Sequence, residues 1–275
     1  VTFVATANAI KHNQAEPIFL DVDMDTMGLS PAAFKEFLQA ETVDGEKGVV
    51  DRNTGRRIAA VVPMHTFGHP CRITDICRIA NAYGIPVVED AAEALGSTRE
   101  GQHCGTFGTF GIYSFNGNKT ITSGGGGAIV SDDEVLAAEA KHLTTTAKIP
   151  HKWEYVHDKI GYNFRMPNLN AALACAQLEK LDAFVENKRQ LAAAYSEFFE
   201  NCPWADFFRE PDGCRSNYWL NAVILSDPSQ REEILSVTNK AGITTRPLWK
   251  LMCNLDIYRN CRQDRQENAR WLDSR

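Results

Sequence analysis

From Glu16 to Glu134 short apolar runs alternate with stretches whose apolar residues recur at helical spacing. PIFLDVD (17–23), IAAVVPM (58–64) and IPVVED (85–90) read as strands, the last two apolar almost throughout, as strands covered on both faces are. SPAAFKEFLQA (30–40) reads as a helix with Ser30 at its N-cap and Pro31 at its first position, and ITDICRIANAYG (73–84) as a helix closed by Gly84. FGIYSF (110–115) and GAIVSD (127–132) follow as strands, then DEVLAAEAKHLTT (133–145) as a helix with acidic residues in its first turn. This alternation predicts an α/β domain whose largely parallel sheet is covered on both faces. Such sheets bind ligands at the carboxyl ends of their strands, where Asp90 and Ser114 fall.

Beyond residue 145 the pattern changes. Residues 145–168 are mixed, aromatic and basic without sustained period, and read as a long ordered loop, a kind usually kept for function. A long helical pattern (169–201) follows, with a break expected near Asp182; then come a strand (YWLNAVIL, 218–225), a helix (228–242) and a second strand (ITTRPLW, 243–249). We therefore expect a large α/β domain over 1–186 and a smaller α+β domain over 187–275. VTFVATANAI, at the start, is patterned like the middle of an element, and ENARWLDSR, at the end, carries no stop signal. Both ends are expected to be cut, leaving the second domain incomplete.

A hydrophobic fraction of 44% and a charged fraction of 23% place the chain among ordinary globular proteins and exclude a disordered one. A net charge of −6 gives no broad footprint for nucleic acid, so an anionic ligand must be held by a local cluster. No long apolar run marks a membrane span and no leader is visible, so the expected location is the cytoplasm. The eight cysteines include no CxxC pair, which fits reduced thiols there. His65, His69 and Cys71 in HTFGHPC raise a metal site, but the segment directly follows an apolar strand and lacks a second ligand pair.

The richest chemistry surrounds Lys119 in YSFNGNKTITSGGGG (113–127). Glycines beside a lysine suggest a flexible turn, a solvated cation or a phosphate loop. The triphosphate-binding loop needs Gly-Lys-Ser/Thr at a helix start, and here the lysine precedes the glycines. In VVED (87–90) adjacent carboxylates on a strand point to opposite faces, so only one of Glu89 and Asp90 can face a given pocket and a hydrolase pair is disfavoured. A simple ion pair with Lys119 is one use of the other. Pyridoxal phosphate chemistry is a second: it needs a lysine amine, a carboxylate at the ring nitrogen, polar groups for the phosphate and flat faces for the ring.

EDAAEALGS (89–97), FGTFGIYSFNGNKTITSGGGGAIVSDD (107–133) and GYNFRMPNLNAALACAQLEKL (161–181) together resemble the DegT/StrS family of nucleotide-sugar aminotransferases, with the likeness covering nearly the whole chain. The resemblance implies fold type I architecture and pyridoxal 5'-phosphate as cofactor. It implies that Lys119 attaches to the cofactor, that Asp90 pairs with the pyridine nitrogen and that Ala92 lies under one ring face. Phe3 resembles the aromatic on the other face, with an ordinary core Phe as the alternative. Ser114 matches a phosphate donor. Asn163 matches an amide given to the partner subunit's phosphate, which implies a homodimer with shared sites, the alternative being a turn or cap residue.

Glu93 stands where relatives commonly carry His or Gln toward the cofactor's phenolic oxygen. The glutamate is similar to branches that aminate C4, and the pure-glycine run resembles the legionaminic acid and bacillosamine branch more than the perosamine one. The glycines themselves are expected to let the chain turn beside the cofactor. The implied reaction moves an amino group from L-glutamate to a UDP-linked 4-keto-6-deoxy-N-acetylhexosamine in bacterial surface-sugar biosynthesis (lipopolysaccharide or capsule). Lys148, His151, Lys152, Arg165 and Arg246 are the candidate cations for the nucleotide, unless merely solvated. Related dehydratases carry His in place of the lysine, and some members have been given non-catalytic roles; a GDP-perosamine synthase-type reaction is the main alternative.

Overall fold

Why the sheet ends where it does is set by residues 58–64. In the computed structural model, which describes residues 1–275, this segment runs parallel to Val88–Asp90 through bridges Val61↔Val87 and Met64↔Asp90. Asp90 N donates to the Pro63 carbonyl (2.9 Å) and His65 N to the Asp90 carbonyl (3.1 Å), but Pro63 has no N–H, so the ladder stays interrupted. Val88–Asp90 pairs in parallel with Phe110–Ser114, and Phe110–Ser114 pairs antiparallel with Gly127–Val130. Parallel neighbours thus bring Asp90 and Ser114 to the same end of the sheet.

The helices expected at 30–40, 73–84 and 133–145 all form, and a further helix occupies the VTFVATANAI segment, which the sequence pattern does not assign as a helix. Helix α1 spans Val4–His12, α2 Pro31–Glu41 with the Ser30 hydroxyl accepting from Ala33 N (3.5 Å), and α3 Ile73–Ala82. Phe34 and Leu38 of α2 meet Ile73, Ile76 and Ile79 of α3 over Val61, Ile85 and Val87 of the sheet. Each such side chain contributes roughly 1.5–3 kcal/mol on full burial, so this layer is the main anchor of the sheet. Gly84 (φ +62°) ends α3 in the left-handed conformation that glycine adopts without strain. Helix α4 is Glu134–Thr144, capped by Asp133, which accepts from Val135 N and Leu136 N.

Several expected elements differ. PIFLDVD forms only isolated bridges, because its polar groups turn to the far end of the chain: Phe19 exchanges backbone bonds with Arg262 and Asp264, and Asp21 accepts from Asn268 N and Ala269 N at the start of helix α8, Glu267–Ser274. The 145–168 loop contains a short antiparallel pair, Lys148–Ile149 with Val156–His157, and a bridge from Thr145 to Asn163. The long helix breaks just before Asp182, into α5 (Asn168–Leu178) and α6 (Leu181–Phe199). Of YWLNAVIL only Val223–Leu225 is a strand, paired with Ala205–Phe207, since Tyr218 has φ +47° and Asn217 and Trp219 turn into the interior. ITTRPLW forms no strand: Thr245 and Arg246 bond back to Asn239 of helix α7, Arg231–Lys240, which saturates the segment locally.

Helix α6 runs through residue 186 and serves both units proposed at that boundary. Leu181 and Phe184 pack toward Phe115 and Ile121, while Ala192 packs on Phe207 and Tyr218.

The HTFGHPC side chains are spent inside the fold. His65 Nε2 lies 3.0 Å from Glu89, while Cys71 N donates to His65 Nδ1, which leaves the proton on Nε2. His69 sits edge-on to Phe208 and Tyr218 with neither ring nitrogen bonded. Burial pushes the His69 pKa down to about 4, against a weaker opposing pull from Glu210. The unfolded chain, titrating near 6.5, binds more protons between pH 6.5 and 4, so this buried imidazole weakens the fold as pH falls through that window. In urea unfolding from pH 7.5 to 4 the wild type is expected to lose roughly 3 kcal/mol relative to His69→Leu, and an unchanged difference between the two over that range would refute this.

Candidate active site

Glu89 and Asp90 take opposite faces of their strand, as alternation requires. Glu89 is fully buried and accepts from His65 Nε2 (3.0 Å), Gly105 N (2.8 Å), Phe107 N (2.6 Å) and Gly108 N (2.7 Å). Burial alone would raise its pKa, yet the His65 bond and the backbone donors hold it below the usual carboxylate value. Asp90 instead lines a cavity of about 1210 Å³ that also reaches Phe3, Ala92, Glu93, Ser114 and Lys119. One Asp90 oxygen accepts from Thr6 Oγ1 of α1 (2.5 Å) and the other from Ala92 N (3.1 Å), which fixes the plane of the carboxylate.

Lys119 reaches this cavity from the loop after Ser114, where a turn bonds Lys119 N to the Asn116 carbonyl (3.0 Å). Its amine lies 3.5 Å from Glu93 Oε1 and 4.1 Å from the centre of the Trp219 ring. Glu93 Oε2 accepts from Phe67 N (2.8 Å). Burial pushes the Glu93 carboxyl up to about 8, against the lowering influence of Lys119 and the Phe67 N–H. A carboxyl that holds its proton near neutral pH can donate a hydrogen bond as well as accept one. Phe67 itself takes φ +58°, a costly conformation for an aromatic residue, held by this bond and by its packing on Trp249.

The glycine run does less at this site than expected. Gly124 to Gly127 are not among the cavity-lining residues; Gly124 and Gly126 supply positive φ, and a Cβ on Gly127 would meet the Tyr113 carbonyl at 2.3 Å. They serve the turn and the close pairing of two strands. Phe3 is half exposed and tilts toward Trp249, ring centres 5.9 Å apart. The five candidate cations and Asn163 lie outside the cavity of this chain. Lys148 and Lys152 rest on the rings of Tyr155 and Trp153, His151 accepts from Glu154 N, Arg246 bonds Asn239, and Arg165 and Asn163 are exposed.

Thr6, Phe67, Asn217, Trp219 and Trp249 escaped the sequence reading. Only the aromatic pair in SNYWL hinted at any of them, and nothing local tied it to residue 119.

All 275 residues match the model of the DegT/DnrJ/EryC1/StrS aminotransferase family. The chain belongs to this family. It is 38% identical over 90% of its length to EpsN of Bacillus subtilis, a protein assigned to the pyridoxal phosphate-dependent aminotransferases, and covers 61% of it. It is 33% identical over 94% of its length to the GDP-perosamine synthase of Escherichia coli O157:H7, covering 66% of that protein. The fold superposes on the aminotransferase TlmJ of Streptoalloteichus hindustanus with a TM-score of 0.88 and 26% identity, over 100% of this chain and 70% of the other. The chain thus spans a little under two thirds of these curated relatives and keeps the fold type I architecture of the DegT family. The donor set fits that family's pyridoxal phosphate: the Asp90 carboxylate, the Lys119 amine and the Ser114 hydroxyl open onto a single cavity, with the small Ala92 side chain just past the end of the Asp90 strand.

Glu93 gives this site a pH signature in the cofactor-free chain. Its carboxyl keeps a proton up to about pH 8 when folded but loses it near 4.5 when unfolded, so its contribution is intact below 4.5 and is lost as pH rises to 8. Glu93→Gln is expected to remove this loss and to exceed the wild type in urea stability at pH 8.5 by a few kcal/mol, at about 1.4 kcal/mol per pKa unit. Equal stabilities at pH 8.5 would refute it.

Proposed function

We propose that the chain carries the catalytic site of a pyridoxal phosphate-dependent sugar-nucleotide aminotransferase, moving an amino group from L-glutamate to C4 of a UDP-linked 4-keto-6-deoxy-N-acetylhexosamine. The observation that carries this reading is the convergence of Asp90 and Lys119, from separate strand ends, on one cavity shared with Ala92 and Ser114. When bound, the cofactor supplies an electron sink through which an amine passes between an amino acid and a carbonyl. Asp90, oriented by Thr6 and the Ala92 N–H, would hold the ring nitrogen protonated; Ser114 would bind the phosphate, and Ala92 and Phe3 would take the two ring faces. Lys119 would attach the cofactor and, once displaced by the donor, take the proton from the donor's α-carbon at Nζ. In the second half-reaction it would return a proton to the sugar's C4. Glu93, carrying its own proton near neutral pH, would face the cofactor's phenolic oxygen.

The site would be completed by a second copy. What supports this is the apolar surface that α5 and the preceding loop leave bare: Tyr155, Ile160, Phe164 and Leu169 are exposed on the same stretch that carries Asn163. On this reading Asn163 and the basic residues 148–165 serve the partner's cofactor and nucleotide, which accounts for their distance from the cavity of their own chain; Arg246 is kept as a further nucleotide contact. The cytoplasm is the proposed location, supported by eight unpaired thiols and by the absence of any helix long and apolar enough to cross a membrane. The reading extends to bacterial surface-sugar biosynthesis. A GDP-linked substrate is the second reading, favoured by the likeness to GDP-perosamine synthase.

Glutamate added to the cofactor-loaded protein is expected to bleach the visible band, and a panel of UDP-, GDP- and dTDP-linked 4-keto sugars to restore it for one nucleotide. Lys119→Ala and Lys119→Arg are expected to lose both the band and turnover; transamination by either would sink the mechanism. Asp90→Asn is expected to bind cofactor yet turn over at least about a hundredfold more slowly, a loss of near 2.7 kcal/mol in barrier terms.

A further inference from the structure

Trp219 touches Lys119, and the chemistry above gives it no task. It is almost fully buried, and each of its own three polar atoms is hydrogen-bonded. Its indole Nε1 donates to the carbonyl of Asn118, the residue before the lysine (2.7 Å), its main-chain N–H donates to Asn217 Oδ1 (2.8 Å), and its carbonyl accepts from Lys188 Nζ of α6 (3.2 Å). Asn217 is in turn held by the Glu93 and Leu95 carbonyls and by Thr120 Oγ1, so the ring is anchored to both sides of the lysine loop. Beneath an amine 4.1 Å from its centre, a face so fixed attracts the ammonium through the ring quadrupole.

We propose that Trp219 is a positioning residue for Lys119: its indole face carries the amine whenever the amine is not covalently engaged, and keeps it beside the Glu93 carboxyl, ready to re-engage. Glu93, at 3.5 Å, is too long a contact to aim the amine alone. The indole N–H bond to Asn118 fixes the backbone from which the lysine projects, while the ring fixes where its end rests. Trp219 therefore sets both ends of the same side chain. The inference rests on the reading of Lys119 as the cofactor-attaching residue, and the test separates the two.

The contact itself is read in the cofactor-free chain labelled with ¹³Cε-lysine. One ε-methylene cross-peak is expected upfield of the rest by about 0.3 ppm or more, from the ring current of an aromatic face at cation–π distance, and is assigned by its loss in Lys119→Ala. No such peak overturns the proposal, with no Trp219 variant needed. Brief treatment with a neutral amine-acylating reagent, read by peptide mass spectrometry against surface Lys141, tests the restraint. Trp219→Leu is expected to acylate Lys119 at least about threefold faster than wild type, while Trp219→Phe, which keeps an aromatic face, stays within about twofold. Equal rates for wild type and Trp219→Leu overturn it, because the ring would then restrain nothing; so does a Trp219→Phe rate as high as that of Trp219→Leu, because an aromatic face would not rescue the loss of a purely structural tryptophan. Pyridoxal phosphate followed by borohydride is expected to add a reduced adduct at Lys119 of the wild type; an unlabelled Lys119, with the first two results as expected, overturns the reading of the site and leaves the cation–π contact standing.

Discussion

A single buried carboxylate organises this site without belonging to it. Glu89 takes its hydrogen bonds from one histidine and three backbone N–H groups, and so fastens the 105–108 turn and the end of the 58–64 segment to the strand between them. An isolated charge at that depth would cost several kcal/mol, and the bonds compensate it only while all of them are made. The strand is thereby fixed in rotation about its own axis. With Glu89 held inward, Asp90 can only face the cavity, and Thr6 and the Ala92 N–H then need only to fix its plane.

The other half of the site is assembled from a distance. Asn217 crosses to the 93–97 segment and to Thr120, and Trp219 closes over the lysine loop, so residues far apart in the chain define the surroundings of one amine. The fit is tight: a Cβ on Gly68 would lie 1.9 Å from Asn217 Oδ1, and Gly68 has φ +92°, so only glycine permits the approach. Helix α6 ties the same region to the sheet domain through Lys188 and through the packing of Val185 on Gly96.

How much of this was legible in the sequence follows from the range of the forces involved. Helices α2, α3 and α4 could be read because capping and apolar spacing are local, and Asp90 and Ser114 because strand ends mark ligand sites in α/β sheets. Ala92, Glu93 and Phe3, named from motif likeness, line the same cavity as Asp90, Ser114 and Lys119. No strand forms at 17–23 or 243–249, and at 218–225 only Val223–Leu225 is one, because the apolar content of these segments serves packing against loops and helices, while backbone groups bond to partners over 200 residues away, as at Phe19, or to side chains close by, as at Trp219 and Thr245. Thr6, Asn217 and Trp219 were invisible for the same reason, since a hydroxyl, an amide and an indole carry no pattern until a partner is in place.

The indole bond from Trp219 to Asn118 spans 101 residues of chain. At a synthesis rate of roughly 5–20 residues per second, Lys119 would leave the ribosome some 5–20 s before the ring that covers it. The sheet and its carboxylate can be in place by then, but the amine has no floor. The order of synthesis thus imposes an order of assembly, in which the lysine pocket takes its final shape only after residue 219 has been made, while the 17–23 segment waits longer still for its partners at 262–269.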